Sequence, residues 1–483
     1  MEINKKYIFI LLIAGFIFCT GSMIIRHYSL RTYAYDTGYM AGVARNAALH
    51  LSYFSDVGNA NYMSQHFSPA LILPGFLFYI WDNPCVMFIF QNLCIFISIY
   101  LSYILAQIVL GERKWAILLS FVFALNYYLN NVNGSGDHIE TLGLPLFLSL
   151  FIFIESPRSN TRIILITLIS LLILSIKEDL VLTLGFFGVW ASIFKKGKMI
   201  ESIIIAMVGL IGFYFISSIL IPHFAGGVLM FSGRYSNFGS SANEILSTVL
   251  KQPHKVLLSL IMPPIKLVHI FSLFLSFWML PFVVTKVTLT TLPPILIHSL
   301  SSYRSQYAFA GQYSLPAIPF LYYSSIYGWK KLCDHFANKP ESESKRRLKR
   351  ISKFIITLTI LSSIVPLIQY GSNYAKFNLK RYTYFNNNIK PLIPRDSRLV
   401  SPNHIQPQFL KNRYSGILSC RESMATNPDY VILSKDRIPT YWQKDNYTKF
   451  AEEILAKYPV IFEDSTYAVL KITSDKEPTG YKN

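Results

Sequence analysis

The sequence predicts an α-helical polytopic membrane protein with about eleven transmembrane helices, a cytoplasmic N-terminus and a small C-terminal α/β domain on the outer side. Composition is the first reason, since 52% of the 483 residues are hydrophobic and only 15% are charged. A soluble domain carries about 25% charged residues. The second reason is that the basic residues behind the net charge of +19 cluster between long apolar runs. That arrangement is typical of membrane topology and not of a nucleic-acid-binding face. A disordered chain is excluded, and an ordinary soluble enzyme is disfavoured.

The apolar runs locate the spans, because a membrane-crossing helix needs about 20 mainly apolar residues. The first run, 7–25, follows Lys5 and Lys6 and is interpreted as an uncleaved helix. A cleaved signal peptide is the alternative, but no clear small-x-small cleavage site follows the run. Further spans are predicted at 84–110, 115–130, 141–155, 161–176, 179–194, 199–221, 262–285, 287–301, 312–329 and 352–370.

The run 67–81 is apolar but contains Pro69, Pro74 and Gly75. It is predicted to be re-entrant or to lie at the membrane interface. The basic clusters support this choice, because lysine and arginine concentrate in short cytoplasmic loops. With 67–81 left out of the count, the clusters all fall on the cytoplasmic side, in the loops 111–114, 155–162, 195–198 and 330–351.

The last part of the chain differs in composition. Residues 371–483 hold eleven of the 26 acids, and short apolar runs of strand type surround a stretch with helical spacing at Tyr447–Lys457. The predicted strands are Arg398–Ser401, Tyr430–Ser434 and Tyr467–Ile472. We therefore predict a transmembrane domain at 1–370, with outer loops at 26–83 and 222–261 and a cytoplasmic linker at 330–351, followed by an outer α/β domain at 371–483.

Asp36 lies in the first predicted outer loop, about ten residues past the first span. A carboxylate there could face a cleft at the membrane surface and act as general base towards a hydroxyl. Asp36 also precedes a helix-like stretch that reaches Leu49. From spacing alone a helix N-cap is therefore the favoured interpretation.

The loop Gly134–Glu140 places Asp137, His138 and Glu140 within four residues. These are three candidate ligands for a metal or for proton transfer, and the glycines let the backbone approach a ligand closely. Helix-start chemistry explains Asp137 equally well.

The segment Ser175–Asp179 joins two predicted spans with almost no loop. Charges at such a position are costly unless they are paired or functional. Lys177 could neutralise a phosphate while Glu178 or Asp179 holds the lysine in place. A solvated ion pair in a tight turn is the alternative.

Two further outer segments each place an arginine among tyrosines, Arg234 beside Tyr235 and Arg304 between Tyr303 and Tyr307. The guanidinium fork suits a phosphate diester or pyrophosphate, although aromatic residues at this depth also form the usual interfacial belt. Walker, Rossmann and H-E-x-x-H patterns do not occur, so a soluble nucleotide cofactor is not predicted. The five cysteines have no paired spacing, which argues against a disulfide framework or a zinc site.

Together these motifs resemble the GT-C superfamily of integral membrane glycosyltransferases. The sequence is more closely similar to a family of predicted membrane proteins called domain of unknown function 2079. The resemblance covers residues 33 to about 325 and continues more weakly into the tail. It rests on Tyr35-Asp-Thr-Gly38, His66-Phe-Ser-Pro69, Gln91, Asp137-His-Ile-Glu140, Lys177-Glu-Asp179, Gly233-Arg-Tyr235 and Gln312-Tyr-Ser-Leu-Pro316.

The resemblance implies transfer of a sugar from a polyprenyl phosphate to a lipid, glycan or protein acceptor outside the cytoplasm. It makes Asp36 the catalytic base, which reverses the preference for a cap, and Asp137 the second acidic site. The other implied substrate-binding residues are His66, Lys177, Glu178, Arg234, Tyr235, Arg304, Gln306, Gln312 and Tyr313. A divalent cation is optional in such enzymes, and His138 and Glu140 would be its ligands here.

One position departs from the family, which often has His-Tyr where this chain has Gln312-Tyr313. Glutamine cannot act as an acid, so Gln312 is expected to bind substrate only. The resemblance also implies a bacterial inner membrane, with the site facing the periplasm or exterior.

Two other classes of function compete with this prediction: a transporter or lipid flippase, and a non-catalytic scaffold subunit that kept the fold. Transporters place ionisable residues near the bilayer midplane, often within broken helices and internal repeats. Here the ionisable residues gather at one predicted face and no repeat is visible, which favours surface chemistry. Fold alone does not exclude a scaffold.

Overall fold

The computed structural model describes residues 5–157, 159–226, 232–240, 242–439 and 442–472. The α-helices of the first half are α1 (Lys5–Tyr28), α2 (Tyr39–His50), α3 (Ile72–Gly75), α4 (Cys85–Leu110), α5 (Arg113–Ala124), α6 (Tyr127–Ser135), α7 (Gly143–Glu155), α8 (Asn160–Leu174), α9 (Glu178–Phe194), α10 (Met199–Phe215) and α11 (Ile221–Phe224). Those of the second half are α12 (Ala242–Lys251), α13 (Pro253–Ile261), α14 (Ile265–Leu275), α15 (Thr285–Thr288), α16 (Leu292–Ser299), α17 (Arg304–Tyr307), α18 (Ile318–Ala337), α19 (Glu341–Ala375), α20 (Leu379–Tyr384) and α21 (Lys444–Lys457).

The chain forms two compact units. The first, called the helical unit below, comprises Met1–Thr20, Asn61–Leu71 and Ile89–Gly371. The second, called the mixed unit, comprises Gly21–Ala60, Ile72–Phe88 and Ser372–Asn483.

Several helices are long and apolar enough to cross a membrane, as the sequence predicts. Five are found among the described residues: Lys6–Tyr28, Cys85–Leu110, Arg113–Ser135, Met199–Phe224 and Glu341–Ala375. A sixth span results if α13 and α14, which meet at a 78° bend, count as one.

Other predicted spans lie on shorter helices. The longest of α7, α8 and α9 is α9 with 17 residues, and at 1.5 Å per residue it is about 26 Å long. The hydrocarbon core of a bilayer is about 30 Å thick. The run interpreted as re-entrant forms the short apolar helix Pro69–Tyr79, which is about 16 Å long and thus about half of a span.

Small residues bring α9 and α10 into close contact. A Cβ atom at Gly209 of α10 would lie 2.1 Å from the backbone nitrogen of Gly185 in α9. One at Gly188 would lie 2.2 Å from the backbone nitrogen of Ala206. Such small-residue interfaces let membrane helices pack at short range. They fix the axis of α9, whose N-terminus carries the charges described below.

The mixed unit contains a five-stranded sheet built from β3 (Arg398–Ser401), β4 (Tyr414–Ile417), β5 (Tyr430–Ser434), β6 (Val460–Glu463) and β7 (Tyr467–Lys471), while β1 (Phe54–Ser55) and β2 (Ala60–Asn61) form a separate pair. The strand order is β4-β3-β5-β7-β6. β3 pairs in parallel with β4 and β5, and β7 pairs antiparallel with β5 and β6. The three predicted strands are therefore present, with β7 one residue shorter than expected, while β4 and β6 were not predicted.

Alternation along the strands builds one apolar core on each face of this sheet. Leu399, Ile432 and Val469 face a cluster that includes Leu30 and Phe385. Their neighbours along the strands face the other way, onto α21, where the core contains Val400, Val431, Leu470, Tyr447, Phe450 and Ile454. The first core shows why Gly21–Ala60 belongs to the mixed unit: Leu30 is buried with the sheet, far from it in sequence.

Candidate active site

The N-terminus of α9 carries three consecutive charged residues of the helical unit. Lys177 occupies the N-cap position with an extended backbone, and Glu178 and Asp179 form the first helical turn. Carboxylates are favoured at this position because the helix dipole is positive there. The Asp179 Oδ1 atom also accepts a hydrogen bond from the backbone nitrogen of Leu180 at 2.8 Å. The helix start therefore orients Asp179, whereas Lys177 and Glu178 are held by the ion pairs described next.

Lys177 forms a buried ion pair with Glu140. The Lys177 Nζ atom lies 2.6 Å from Glu140 Oε1, and the two side chains are 7% and 3% exposed. Burial alone would raise the pKa of Glu140, but the charges of Lys177 and His138 lower it to about 2. Glu140 is therefore ionised at any physiological pH, and the pair brings the two outer segments identified from sequence into contact.

A second pair joins His66 to Glu178, with 2.6 Å between His66 Nδ1 and Glu178 Oε1. Its segment is attached to the turn before α9 by two further hydrogen bonds. Ser68 Oγ donates to the Ile176 carbonyl at 2.6 Å, and the Ala70 backbone nitrogen donates to the Ser175 carbonyl at 2.9 Å. Burial lowers the pKa of His66 although Glu178 opposes this, so the imidazole favours its neutral form.

Two carboxylate oxygens at this site lack a partner. Glu140 Oε2 and Glu178 Oε2 are buried and accept no hydrogen bond from any residue that the structure describes. A buried unsatisfied acceptor costs about 1–3 kcal/mol, and more when it is charged. Both oxygens are therefore available to hydroxyl or amide donors of a bound molecule.

Gln91 of α4 organises the loop that carries Asp137 and His138. Its Nε2 atom donates to Asn133 Oδ1 at 2.7 Å and to the Gly136 carbonyl at 2.9 Å, while its Oε1 atom accepts from the His138 backbone nitrogen at 2.8 Å. Gly136 has a φ of +121°, a conformation that essentially only glycine adopts. The loop is therefore held by a buried amide, and the motif resemblance had included Gln91 without a role.

Asp179 begins a polar chain that connects three segments distant in sequence. His298 Nε2 lies 3.7 Å from Asp179 Oδ2, and His298 Nδ1 lies 3.2 Å from Gln306 Nε2. Gln306 Nε2 also donates to the Tyr235 hydroxyl at 2.9 Å. Gln306 and Tyr235 are predicted site residues, whereas His298 has no sequence signal beyond being a histidine in an apolar helix.

Tyr313 lies between two cations. The Lys177 Nζ atom is 5.8 Å from the centre of its ring, and Arg234 Nη1 donates to its hydroxyl at 3.4 Å. The Arg234 guanidinium also lies 5.0 Å from the ring centre of Tyr303. The structure thus gathers two of the three predicted phosphate ligands, Lys177 and Arg234, around one tyrosine.

Two predicted binding residues are not brought into this network. Arg304 is exposed and Gln312 is half-buried, and across the described ranges no hydrogen bond or ion pair joins either one to the other site residues. The tyrosines around Arg304 fit the interfacial aromatic belt as well as a phosphate-binding site, and the sequence pattern is the same for both.

Asp36 belongs to the mixed unit, whereas every other predicted site residue belongs to the helical unit. It lies half-buried in a π-helical turn, Ala34–Gly38. Helix α2 begins at Tyr39 with Gly38 at its N-cap position, so Asp36 lies too early to cap it. The turn is anchored within its own unit, since the Ala34 backbone nitrogen donates to Asn403 Oδ1 at 2.7 Å.

His138 and Glu140 are the expected ligands of the optional metal. Within the described ranges, no group of three or more His, Cys, Asp or Glu side chains is placed to hold a metal ion. Of the two expected ligands, Glu140 is paired with Lys177, and His138 Nε2 lies 3.0 Å from Ser135 Oγ. These residues do not fit a metal held by three protein ligands.

Several solved structures are similar to this chain. ArnT from Cupriavidus metallidurans bound to undecaprenyl phosphate superposes with a TM-score of 0.55 at 12% identity, over 99% of this chain and 100% of that chain. Its apo state gives 0.50 at 11% identity, over 96% and 98%. The oligosaccharyltransferase AglB from Archaeoglobus fulgidus, in complex with an inhibitory peptide and a dolichol-phosphate, gives 0.40 at 10% identity, over 86% and 69%. At these identities the comparison with ArnT shows the fold alone, which is that of the GT-C glycosyltransferases.

The sequence comparison agrees with the expected family. No curated protein matches the chain. The family model described as "Predicted membrane protein (DUF2079)" matches residues 26–460, which is most of the sequence. The chain therefore belongs to the DUF2079 family of predicted membrane proteins, and the resemblance stated from its motifs is confirmed.

Proposed function

We propose that this protein is an integral membrane glycosyltransferase that moves a sugar from a polyprenyl-phosphate donor to a lipid, glycan or protein acceptor outside the cytoplasm. The observation that carries the proposal is the buried Lys177, paired with Glu140 and sharing Tyr313 with Arg234. Two cations beside one aromatic ring form a site for a phosphate diester. The fold supports this assignment, because ArnT has been seen bound to undecaprenyl phosphate.

The proposed topology has eleven spans with the N-terminus in the cytoplasm of a bacterial cell and the site facing the periplasm or exterior. Ion pairs at the opposite ends of the same helices support it. Lys195 follows α9 and pairs with Glu155 at the end of α7. Arg162 at the start of α8 pairs with Glu201 of α10. These basic residues occupy the ends remote from Lys177, as expected for cytoplasmic loops.

The reaction is an inverting displacement. The acceptor hydroxyl attacks the anomeric carbon from the face opposite the lipid phosphate, and Asp36 accepts the hydroxyl proton as general base. The bond between the anomeric carbon and the phosphate oxygen breaks as the new glycosidic bond forms. The leaving group is the polyprenyl phosphate, which gains one negative charge.

Lys177 and Arg234 stabilise that growing charge, with Arg304 as a third contact. Lys177 lies between the predicted spans 161–176 and 179–194. Burial alone would lower its pKa, but the charge of Glu140 and those of Asp179 and Glu178 raise it well above its usual range. The lysine is therefore a permanent cation, as a ligand for phosphate must be.

The carboxylates around Lys177 have a second function in this proposal. Glu140 and Glu178 each keep one unpaired oxygen, which suits recognition of donor-sugar hydroxyls. Asp137 is proposed as the second acidic site. Tyr235 and Gln306 support the Asp179–His298 pair. Gln312 contributes to binding only. The C-terminal part of the mixed unit is proposed to recognise the acceptor.

The test is a comparison of lipid extracts from the native host carrying wild type or Asp36→Asn. Mass spectrometry should show a polyprenyl-phosphate sugar accumulating in the variant, together with loss of one modified glycan or lipid. Asp396→Asn is the control, because Asp396 is an exposed acid of the same unit. An unchanged lipid profile at normal protein level would overturn the role of Asp36.

A second experiment separates the transferase from a transporter or scaffold. Purified protein is incubated with the accumulated lipid and a membrane extract as acceptor source. A transferase releases free polyprenyl phosphate, and Lys177→Met abolishes the release. Transport or assembly without release would refute the enzyme assignment.

A further inference from the structure

The mixed unit contains a cavity of about 380 Å³, within the usual size range of sites for small ligands. Its walls come from the end of α1, from the residues just before α4, and from two C-terminal segments around Lys390 and Lys411. None of its lining residues belongs to the cluster at α9, so the cavity is a separate feature of the molecule.

Positive charge dominates the lining of the cavity. Lys390, Arg395 and Lys411 line it, and among the described lining residues Asp82 is the only carboxylate. Asp82 is already engaged, since its Oδ1 and Oδ2 atoms accept from Arg45 Nε and Nη2 at 2.7 and 3.1 Å. The same carboxylate lies 3.3 Å from Lys411 Nζ. Asp82 thus pairs with both Arg45 and Lys411. Lys390 and Arg395 add positive charge that Asp82 does not balance.

The three cations of the cavity repel one another. Burial lowers the pKa of Lys390, and the charges of Lys411 and Arg395 lower it further. Bringing an anion between them would relieve this repulsion, because opposite charges at short range favour the ionised lysine.

The remaining walls favour an organic molecule over a bare ion. Phe78 and Phe409 are buried at 2% exposure each and provide an apolar surface, together with Tyr382. Side-chain amides lie beside them, including Asn386. Aromatic faces next to amide groups and cations suit a ligand with an apolar body and a charged end.

We propose that this cavity binds the phosphate group of a small organic phosphate, with Lys390 and Lys411 contacting the phosphate and Arg395 at the exposed mouth. The phosphate can come from a lipid headgroup, because the cavity includes His27 near the end of the apolar helix α1, or from a water-soluble sugar phosphate. The proposal does not depend on the transfer reaction.

The test is isothermal titration calorimetry on the full-length protein in a phosphate-free detergent. The probes are inorganic phosphate, glucose 1-phosphate and dihexanoyl phosphatidic acid. We expect the organic phosphates to bind more tightly than inorganic phosphate. Tighter binding of glucose 1-phosphate identifies a sugar phosphate as the ligand class, and tighter binding of phosphatidic acid identifies a lipid headgroup.

Variants with opposite expected effects make the result decisive. Lys390→Gln with Lys411→Gln should weaken binding by about a hundredfold, since each lost charge-assisted bond is worth about tenfold. Asp82→Asn should strengthen binding by about threefold, because it removes the competing carboxylate. Lys435→Gln is the control, since Lys435 pairs with Glu463 elsewhere in the same unit.

Three outcomes would overturn the proposal. They are no binding of any probe by the wild type, equal binding by the double lysine variant with an unchanged melting temperature, and weaker binding by Asp82→Asn. None of them requires sugar transfer, so a failure here is distinguishable from a failure of the proposed function.

Discussion

Replacing the two members of the Lys177–Glu140 pair, singly and together, separates its structural function from its chemical one. The pair is 2.6 Å long with both side chains at least 93% buried, and removing one member of such a pair leaves an uncompensated charge. That typically costs about 3–5 kcal/mol. The stability loss of Lys177→Met should lie at the upper end of this range, because the substitution leaves Glu140 without its main partner. The stability loss of Glu140→Gln should lie at the lower end, because Glu178 and Asp179 also stabilise the charge of Lys177.

The double variant Glu140→Gln with Lys177→Met removes both charges and should recover most of the lost stability. Its free energy of unfolding is measured by titration from mild detergent into sodium dodecyl sulfate. Recovery of about 2 kcal/mol or more, relative to the sum of the single variants, measures the coupling between the two side chains. Transfer activity should stay absent in the double variant, because its site has lost Lys177, the proposed phosphate ligand.

The matched control is Lys195→Met at the opposite end of α9. Lys195 also forms an ion pair, with Glu155, but those side chains are 16% and 14% exposed. Lys195→Met should lower the free energy of unfolding by about 1 kcal/mol, a value between those typical of surface and of buried ion pairs. Transfer should be unchanged. Additive losses in the double variant, or restored transfer together with restored stability, would refute the reasoning.

Further predictions concern the support of the site and the mixed unit. Gln91→Leu should leave the Gly136 carbonyl and the His138 backbone nitrogen unpaired, so transfer should fall about tenfold or more while protein level stays normal; an unchanged rate in membranes would contradict this. Gly209→Leu should abolish accumulation of folded protein in membranes, because its Cβ meets α9 backbone, and Gly371→Leu is the control because no atom lies near its Cβ. Burial raises the pKa of Asp56 to about 6, despite its bond from the Ser415 backbone nitrogen. The carboxyl group of Asp56 therefore stays protonated to a higher pH in the folded state than in the unfolded state. Its contribution to the free energy of unfolding is greatest below about pH 4 and is lost as pH rises through about 6. Relative to Asp56→Asn, unfolding free energy should fall by about 3 kcal/mol over that range, and parallel pH profiles in denaturant would disprove it.

The local sequence pattern of this chain predicts its secondary-structure elements well. It predicts poorly which distant residues contact one another. The strands at Arg398–Ser401 and Tyr430–Ser434 lie where their apolar runs place them, because a strand face depends on alternation alone. β4 was missed because Tyr414–Ile417 contains Gly416 and little β-branched sequence. The inclusion of Leu30 in the sheet core depends on a contact across more than 350 residues, which no periodicity encodes.

The same distinction applies to the candidate site. Lys177 was identified because charges at a membrane boundary are costly unless they are paired or functional. Glu140 was identified separately, as a candidate ligand close to Asp137 and His138. Their mutual pairing, the His66–Glu178 contact and the partnership of Asp179 with His298 each join segments more than 30 residues apart. Such partners are set by helix packing, and in this chain that packing depends on glycine contacts between α9 and α10.

The electrostatics of Lys177 fit a phosphate ligand better than a group that carries protons. A residue that couples transport to protons must change its protonation state within the physiological range. Lys177 does not meet this condition, because Glu140 and the two acids beside it raise its pKa well above its usual range, while the same pairing lowers the pKa of Glu140 to about 2. Both charges are therefore fixed. A fixed cation whose partner carboxylate keeps one oxygen unpaired can hold a phosphate and a sugar hydroxyl together. That combination suits the proposed transfer from a lipid-linked phosphosugar.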